Sequence, residues 1–427
     1  MHGLTLVLWE LGHTARSLVR VAQDWLILRT LVGRMVLRDE TFAFLVHPRT
    51  DDLIGTDVYG YNDIYRPVPI LRHLFKILPK PLAERIVLGF ARMVPPATLS
   101  RIKVRIGNTT ARGYLLTSAR TPRLLLDAEI RETKRHLEDL FALANRKGVR
   151  RVGLGALLPS MTGYGKRFTG VDSSKRPAIS TGHAYTAYNI AQYISLLTRK
   201  RNTAYARTCV SIVGAGGSTG KALMRTLKRV WRQPAFDMLM VDTPQKAASL
   251  RLLAEEARKS GVFASVRTST DLASLREAEY VVVVTNATGA IIRPEHLRQG
   301  TVIIDDSQPR NTSPELSEHG CHVLDVLARV PGLDCNFDFG FRTQDKTVTF
   351  TCLAETVLAT VAGDANDLAV GEVTEAVVER LLSIVNIGTQ LGLVGPLPFF
   401  TFGRELSEAE QQHLLQPSGV HLVPAAE

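Results

Sequence analysis

The segment Gly214-Ala215-Gly216-Gly217-Ser218-Thr219-Gly220 follows the apolar run Val210–Val213. It leads into a helical stretch with Ala222, Leu223, Leu227, Val230 and Trp231 on one face. A strand there must end in a tight bend, let its backbone approach a pyrophosphate, and aim a helix N-terminus at that charge; glycine suits all three demands. In this strand-to-helix setting the spacing reads as a dinucleotide-binding turn, with an ordinary glycine-rich turn as the plain alternative. A second chemical feature is Cys352, between strand-like Lys346–Thr351 and helical Leu353–Ala362. A thiol at a helix N-terminus ionises more readily and becomes a nucleophile, whereas most free cysteines are buried and inert.

Other polar residues fall where such a site needs them. Asp242 ends the second apolar strand, Phe236–Val241, where a carboxylate accepts hydrogen bonds from a ribose 2′-OH and favours NADH; Lys246, one turn on, would instead reach a 2′-phosphate. Thr285 and Asn286 follow the apolar run Tyr280–Val284, and Asp305 ends Thr301–Asp305, so all three stand at strand ends on the nicotinamide side. His183, Tyr185 and Tyr188 lie at the start of a helix that runs to Arg199, and are candidate proton donors. For each of them, core packing or capping is the competing reading.

The elements that must position these groups alternate strand and helix from Val210 to Asp305, which predicts an α/β fold: a Rossmann-type doubly wound parallel sheet. A second α/β unit for the substrate is expected over 101–205, with strand-like Ile102–Ile106, a long helix Asp127–Lys147 and a glycine-rich strand region Val152–Leu158. The nucleotide domain is set at 206–345. Residues 346–427 are expected to hold the segment around Cys352 and C-terminal helices returning onto the substrate unit. Residues 1–100 read as a helical, turn-rich extension, polar from Phe42 to Gly60. Its first 40 residues mix Leu18, Val19, Trp25 and Leu26 with Arg16, Arg20 and Arg29; the pattern fits core packing, or contact with an anionic membrane surface.

At 427 residues, 45% hydrophobic and 22% charged, the chain has material for two or three cores. Its four cysteines show neither metal-type spacing nor a disulfide framework, and the start lacks the layout of a signal peptide, so a cytoplasmic location is expected. A net charge of +11 asks for an acidic partner, and the absence of aromatics among the basic runs argues against nucleic acid.

Taken together, Gly214–Gly220, the Ser180-Thr181-Gly182 to Thr186-Ala187-Tyr188 run, the Leu154-Gly155 to Ser160 loop, the Asp305 loop and Phe350-x-Cys352-x-Ala354-Glu355 resemble the long-chain acyl-[acyl-carrier-protein] reductases of cyanobacteria over roughly Val104–Leu397. The resemblance implies an enzyme that reduces a long-chain acyl thioester, on acyl carrier protein or coenzyme A, to the fatty aldehyde with NADPH or NADH. Cys352 would be the acyl-accepting nucleophile, backbone N–H groups near Cys352 and the hydroxyl of Ser160 or Thr181 would be the oxyanion donors, and the uncharged segment Leu391–Phe402 would wall the acyl chain. Three rivals are a shikimate-type dehydrogenase without covalent catalysis, a glutamyl-tRNA reductase, whose cysteine precedes its nucleotide domain, and a cofactor-sensing binding protein.

Overall fold

The computed structural model describes residues 2–29, 40–48, 77–127, 130–201, 208–231, 236–287, 289–335, 337 and 339–416. In chain order its main elements are α1 (His2–Arg29), β1 (Glu40–Val46), α2 (Lys80–Met93), β2 (Ala97–Ile106), β3 (Thr109–Thr117), α3 (Ile130–Arg146), β4 (Arg151–Leu154), β5 (Ala178–Ser180) and α4 (His183–Lys200). There follow β6 (Cys209–Val213), α5 (Ser218–Val230), β7 (Asp237–Val241), α6 (Ala247–Lys259), β8 (Ser265–Ser269), β9 (Tyr280–Val283), β10 (Val302–Asp305) and β11 (His322–Asp325). The last are β12 (Leu327–Arg329), β13 (Leu333–Cys335), β14 (Val348–Phe350), α7 (Thr351–Val361) and α8 (Glu375–Gln390).

The chain divides into two compact units: residues 1–185 with 327–398, and residues 186–326 with 399–427. In the first, a six-stranded sheet has the order β13-β2-β3-β1-β4-β5, parallel except where β2 meets β3 and β13. Ala43, Leu45, Leu116, Val152 and Ile179 pack on one side with Leu137, Leu140, Phe141 and Leu143 of α3. Gly153 lets α7 approach β4, because a Cβ there would lie 2.0 Å from Thr356 Oγ1 and 2.7 Å from Phe44 Cδ2.

This unit corrects two expectations. Glu40–Val46 is a central strand between β3 and β4, although residues 1–100 read as an extension that turns polar at Phe42. Residues 327–335, assigned by sequence to the nucleotide domain, supply β12 and β13 to the first unit, since β13 pairs antiparallel with β2.

The second unit is a Rossmann-type doubly wound sheet: six parallel strands in the order β11-β10-β9-β6-β7-β8, reversing direction of growth at β6. Val213, Leu239, Val241, Val281, Val283 and Ile303 fill one face of it. Strand β8 enters the sheet with Ser265 paired to Asp237 of β7. The segment from Phe399 onward belongs to this unit and not to the first: the Gly403 N–H donates to Asp325 at 2.7 Å, and Phe399 meets Tyr193 edge-on at 6.0 Å. Within the expected acyl wall, Leu393, Phe399 and Phe400 are buried and Leu391 is exposed.

Candidate functional site

The glycine turn of the second unit is built as a cradle. Gly214, at φ +87°, donates to Val241 O at 2.8 Å, and a Cβ on it would lie 2.8 Å from Val284 O, so β6 turns hard against the end of β9. Gly217 is the N-cap of α5 and no side chain caps that helix. Ser218, Thr219 and Gly220 form its first turn, the place where backbone donors and the positive dipole end gather. A Cβ on Gly220 would fall 2.6 Å from the Cα and O of Ala215 and from Gly214 O, which is the close helix-to-turn packing a phosphate cradle requires. Asp242 reaches across the turn: its Oδ2 accepts from Gly216 N at 2.8 Å and its Oδ1 from Thr243 N at 2.8 Å. The carboxylate therefore braces the loop as well as standing at the end of β7.

The other residues expected at strand ends have separate duties. Thr285 Oγ1 accepts from Ala287 N at 2.9 Å, tying the turn after β9, and Asn286 is exposed. Asp305 is buried and accepts from Ser307 N at 2.9 Å, from the Ser307 hydroxyl, and from Thr312 Oγ1 at 2.6 Å. Arg310 stands 3.8 Å away and pairs with Asp325 at 2.5 Å. Burial pushes the Asp305 carboxyl up, against the pull of Arg310 and the hydroxyls. Asp305 is thus the knot of the 305–312 loop.

In the first unit, Cys352 is the second residue of α7, which begins after Phe350 without a side-chain cap. None of the four cysteines is in a disulfide. Burial pushes Cys209, Cys321 and Cys335 up to about 11, so these three are poor nucleophiles. Cys352 is partly exposed and seated on Gly182: a Cβ on Gly182, which has φ +85°, would come 2.2 Å from Cys352 Cβ and 2.6 Å from its Cα.

One turn further along α7, Glu355 is fully buried and grips the start of α4. Its Oε1 accepts from Ser180 Oγ at 2.6 Å and Gly182 N at 2.8 Å, and its Oε2 accepts from Tyr185 N at 2.8 Å. Burial pushes this carboxyl up, opposed by those donors and by Arg151.

His183 follows Gly182 and is 5% exposed. The Thr181 hydroxyl donates to Ala369 O at 2.7 Å, so at its 2.7 Å contact with His183 Nδ1 it must accept. The imidazole then carries its proton on Nδ1, and Nε2 presents a lone pair that is buried and unpartnered. Burial lowers the His183 pKa to about 4. The expected proton donor is therefore a neutral acceptor. The Tyr164 ring meets it edge-on at 5.0 Å.

Ser160 lies in the short helix Leu158–Met161, where its hydroxyl donates to Leu157 O at 2.9 Å. Tyr185 is buried, and burial raises the pKa of Tyr188. An ionic strap that sequence reasoning missed holds the 363–371 loop against this site. Arg176 pairs twice with Asp367 at 2.8 and 2.7 Å, while Arg151 and Arg380 both bind Asp364. The loop so fixed supplies Ala369 O to Thr181. Among the described residues, no group of three or more His, Cys, Asp or Glu has the arrangement to hold a metal ion.

No protein-family model matches the chain. The long-chain acyl-[acyl-carrier-protein] reductase of Synechococcus elongatus is 26% identical over 188 residues, which are 43% of this chain and 52% of that protein. The chain thus spans about half the length of the curated relative it matches. Among solved structures, quinate dehydrogenase from Corynebacterium glutamicum in complex with NAD is similar at a TM-score of 0.33 and 12% identity, covering 82% of this chain and 99% of that one. The iminosuccinate reductase of Paracoccus denitrificans in complex with NAD+ gives a TM-score of 0.26 at 16% identity, covering 50% of this chain and 66% of that one.

Proposed function

We propose that the chain reduces a long-chain acyl thioester, carried by acyl carrier protein or coenzyme A, to the fatty aldehyde with NADPH or NADH, through a thioacyl group on Cys352. The observation that carries this reading is the placement of Cys352. It is partly exposed, it opens α7 on an uncapped turn, and it rests on a glycine that Glu355 clamps. The partial similarity to a reductase of acyl carrier protein thioesters supports the same substrate class.

The glycine cradle fits a dinucleotide: Gly214 and Gly220 occupy positions a Cβ would fill, and the uncapped start of α5 suits a pyrophosphate. Gly214, Gly216, Gly217, Ser218, Thr219 and Gly220 would hold the phosphates and Asp242 the ribose. The bound nicotinamide supplies the two electrons of the reduction.

The chain's own residues do the rest. The Cys352 sulfur attacks the thioester carbonyl, the carrier thiolate leaves and takes up a proton, and the acyl group rests on the enzyme. After reduction the carbon–sulfur bond to Cys352 breaks, the aldehyde departs and the thiol is restored. The positive end of α7 favours the negative charge that develops during attack. A net charge of +11 steers an acidic carrier toward the protein.

The test is intact-protein mass after mixing wild type and Cys352→Ala with long-chain acyl-carrier protein, without nicotinamide. A gain of one acyl group, absent from the variant and discharged as aldehyde on adding NADH or NADPH, is expected. No adduct from either a carrier-protein or a coenzyme A donor would sink Cys352 as nucleophile and favour a dehydrogenase of the shikimate type.

A further inference from the structure

The N-terminal helix α1 turns its apolar stripe outward. Leu11, Leu18, Val19, Trp25 and Leu26 stand between 48% and 56% exposed, and Ala15 and Ala22 are exposed between them. At helical spacing these residues share one sector of about 120°. The opposite side is tied down by polar contacts: buried Asp24 accepts from Thr98 N at 2.5 Å and pairs with Lys147 at 2.6 Å, and Arg146 donates to Ile27 O at 2.6 Å. Rolling the stripe inward would strand a buried carboxylate, so the outward face is fixed by the fold. Core packing, which the sequence favoured for Leu18, Val19, Trp25 and Leu26, is not what the structure does with them; Leu31, Val32 and Met35 lie outside the described residues.

Helix α2 repeats the arrangement. Leu82, Ile86, Gly89 and Met93 are exposed at spacings of one helical face, while Ala83 and Ala91 face inward and are buried. Among the described side chains, the exposed charges are Arg16, Arg20 and Arg29 on α1 and Arg85 and Arg92 on α2, every one cationic.

We propose that α1 and α2 form an interfacial anchor that lays the protein on an anionic lipid surface. Aliphatic residues with a tryptophan along one helix face, flanked by arginines whose stems can lie along the headgroups, are the composition such a surface binds. Among the described side chains of these helices the charge pattern disfavours a second copy of the chain, because pairing two such faces would bring arginines together with no described acid to meet them. No described helix is long and apolar enough to cross a membrane, so the contact is with the surface. The inference stands on these two helices and is independent of the thioester chemistry.

The test is co-sedimentation of the full chain with vesicles of phosphatidylcholine alone and of phosphatidylcholine with phosphatidylglycerol, at low and high salt. The variants are Leu18→Gln/Trp25→Gln, Arg16→Gln/Arg29→Gln, and the control Leu252→Gln, which removes an exposed leucine of α6. Unchanged thermal unfolding certifies the folds. Expected is binding to the anionic vesicles at low salt, weakened about tenfold or more by either double variant and untouched by the control. Absence of binding, or equal binding to both vesicle types, overturns the proposal. So does a wild-type dimer that Leu18→Gln/Trp25→Gln converts to monomer, which assigns the face to a second copy. Binding of acyl carrier protein that is lost in the same variant, with no vesicle binding, assigns it to the carrier instead.

Discussion

Gly182→Ala probes the packing that seats Cys352. The added Cβ would lie 2.2 Å from Cys352 Cβ and 2.6 Å from Cys352 Cα, where carbon atoms prefer about 3.5–4.0 Å. The obstacle is backbone and a Cβ, so no rotamer change relieves it. Either the start of α7 or the 181–183 turn must move, and the turn is held by the bonds from Glu355 to Ser180, Gly182 and Tyr185. To this clash, worth about 1–3 kcal/mol, the left-handed backbone at φ +85° adds about 1–2 kcal/mol, for a total of roughly 2–5 kcal/mol. Gly107→Ala separates the two contributions, because Gly107 has φ +55° with nothing within 4 Å of the added carbon. Urea unfolding of both variants should show Gly107→Ala losing only the backbone part and Gly182→Ala clearly more. Iodoacetamide alkylation of Cys352, followed by mass, should change rate in Gly182→Ala alone. Equal destabilisation of the two variants, with Cys352 alkylated at the wild-type rate in both, would refute the claim that Gly182 seats the thiol.

Gly220→Ala places a Cβ 2.6 Å from three backbone atoms of the glycine turn, and is expected to weaken NADH and NADPH binding alike by about tenfold or more, read by nucleotide fluorescence. Unchanged affinity for both would remove the turn from the cofactor site. Asp242→Ser takes a negative charge from the end of β7 and should move the ratio of NADPH to NADH affinity about tenfold toward NADPH. An unmoved ratio means that Asp242 serves only to brace Gly216 N. Burial holds His136 and His183 at about 4, while an unfolded histidine titrates near 6.5, so between these values the unfolded chain binds more protons. Their contribution is complete above about pH 6.5 and is lost as pH falls toward 4, at most about 3 kcal/mol for each. Unfolding midpoints of wild type should drop over that interval and drop less steeply in His183→Gln, where His136 alone of the two still contributes; parallel curves would contradict a buried neutral imidazole at His183.

What the sequence made legible was local. Val210–Val213 and Gly214–Gly220 lie side by side in the chain, and their strand, bend and helix are decided by neighbours. Strand β1 was hidden because its partners, β3 and β4, come from distant segments; Ala43 pairs with Tyr114 and Val152. For α1, periodicity identifies which residues share a face and leaves open whether the face points in or out. The Asp24–Lys147 pair decides that, and nothing near Asp24 announces it. Glu355 was visible as part of the Phe350-x-Cys352-x-Ala354-Glu355 pattern. Its work, three bonds to residues 180–185, is a tertiary fact that spacing on one helix does not encode. The ionic strap through Asp364 and Asp367 was missed for the same reason.

The hydrogen-bond directions around His183 constrain the chemistry on the thioester reading. Thr181 spends its proton on Ala369 O, Ser160 spends its proton on Leu157 O, and the His183 Nδ1 proton is spent on Thr181. None of the three has a proton to offer an oxyanion without breaking a bond already made, and a pKa of about 4 keeps Nε2 bare at neutral pH. Stabilisation of developing negative charge therefore falls to the positive end of α7, which no side chain caps and which the Glu355 clamp holds rigid. His183 can only receive. Its buried Nε2 holds a lone pair without a hydrogen-bond partner, so on the proposed reading the imidazole is not the source of a proton.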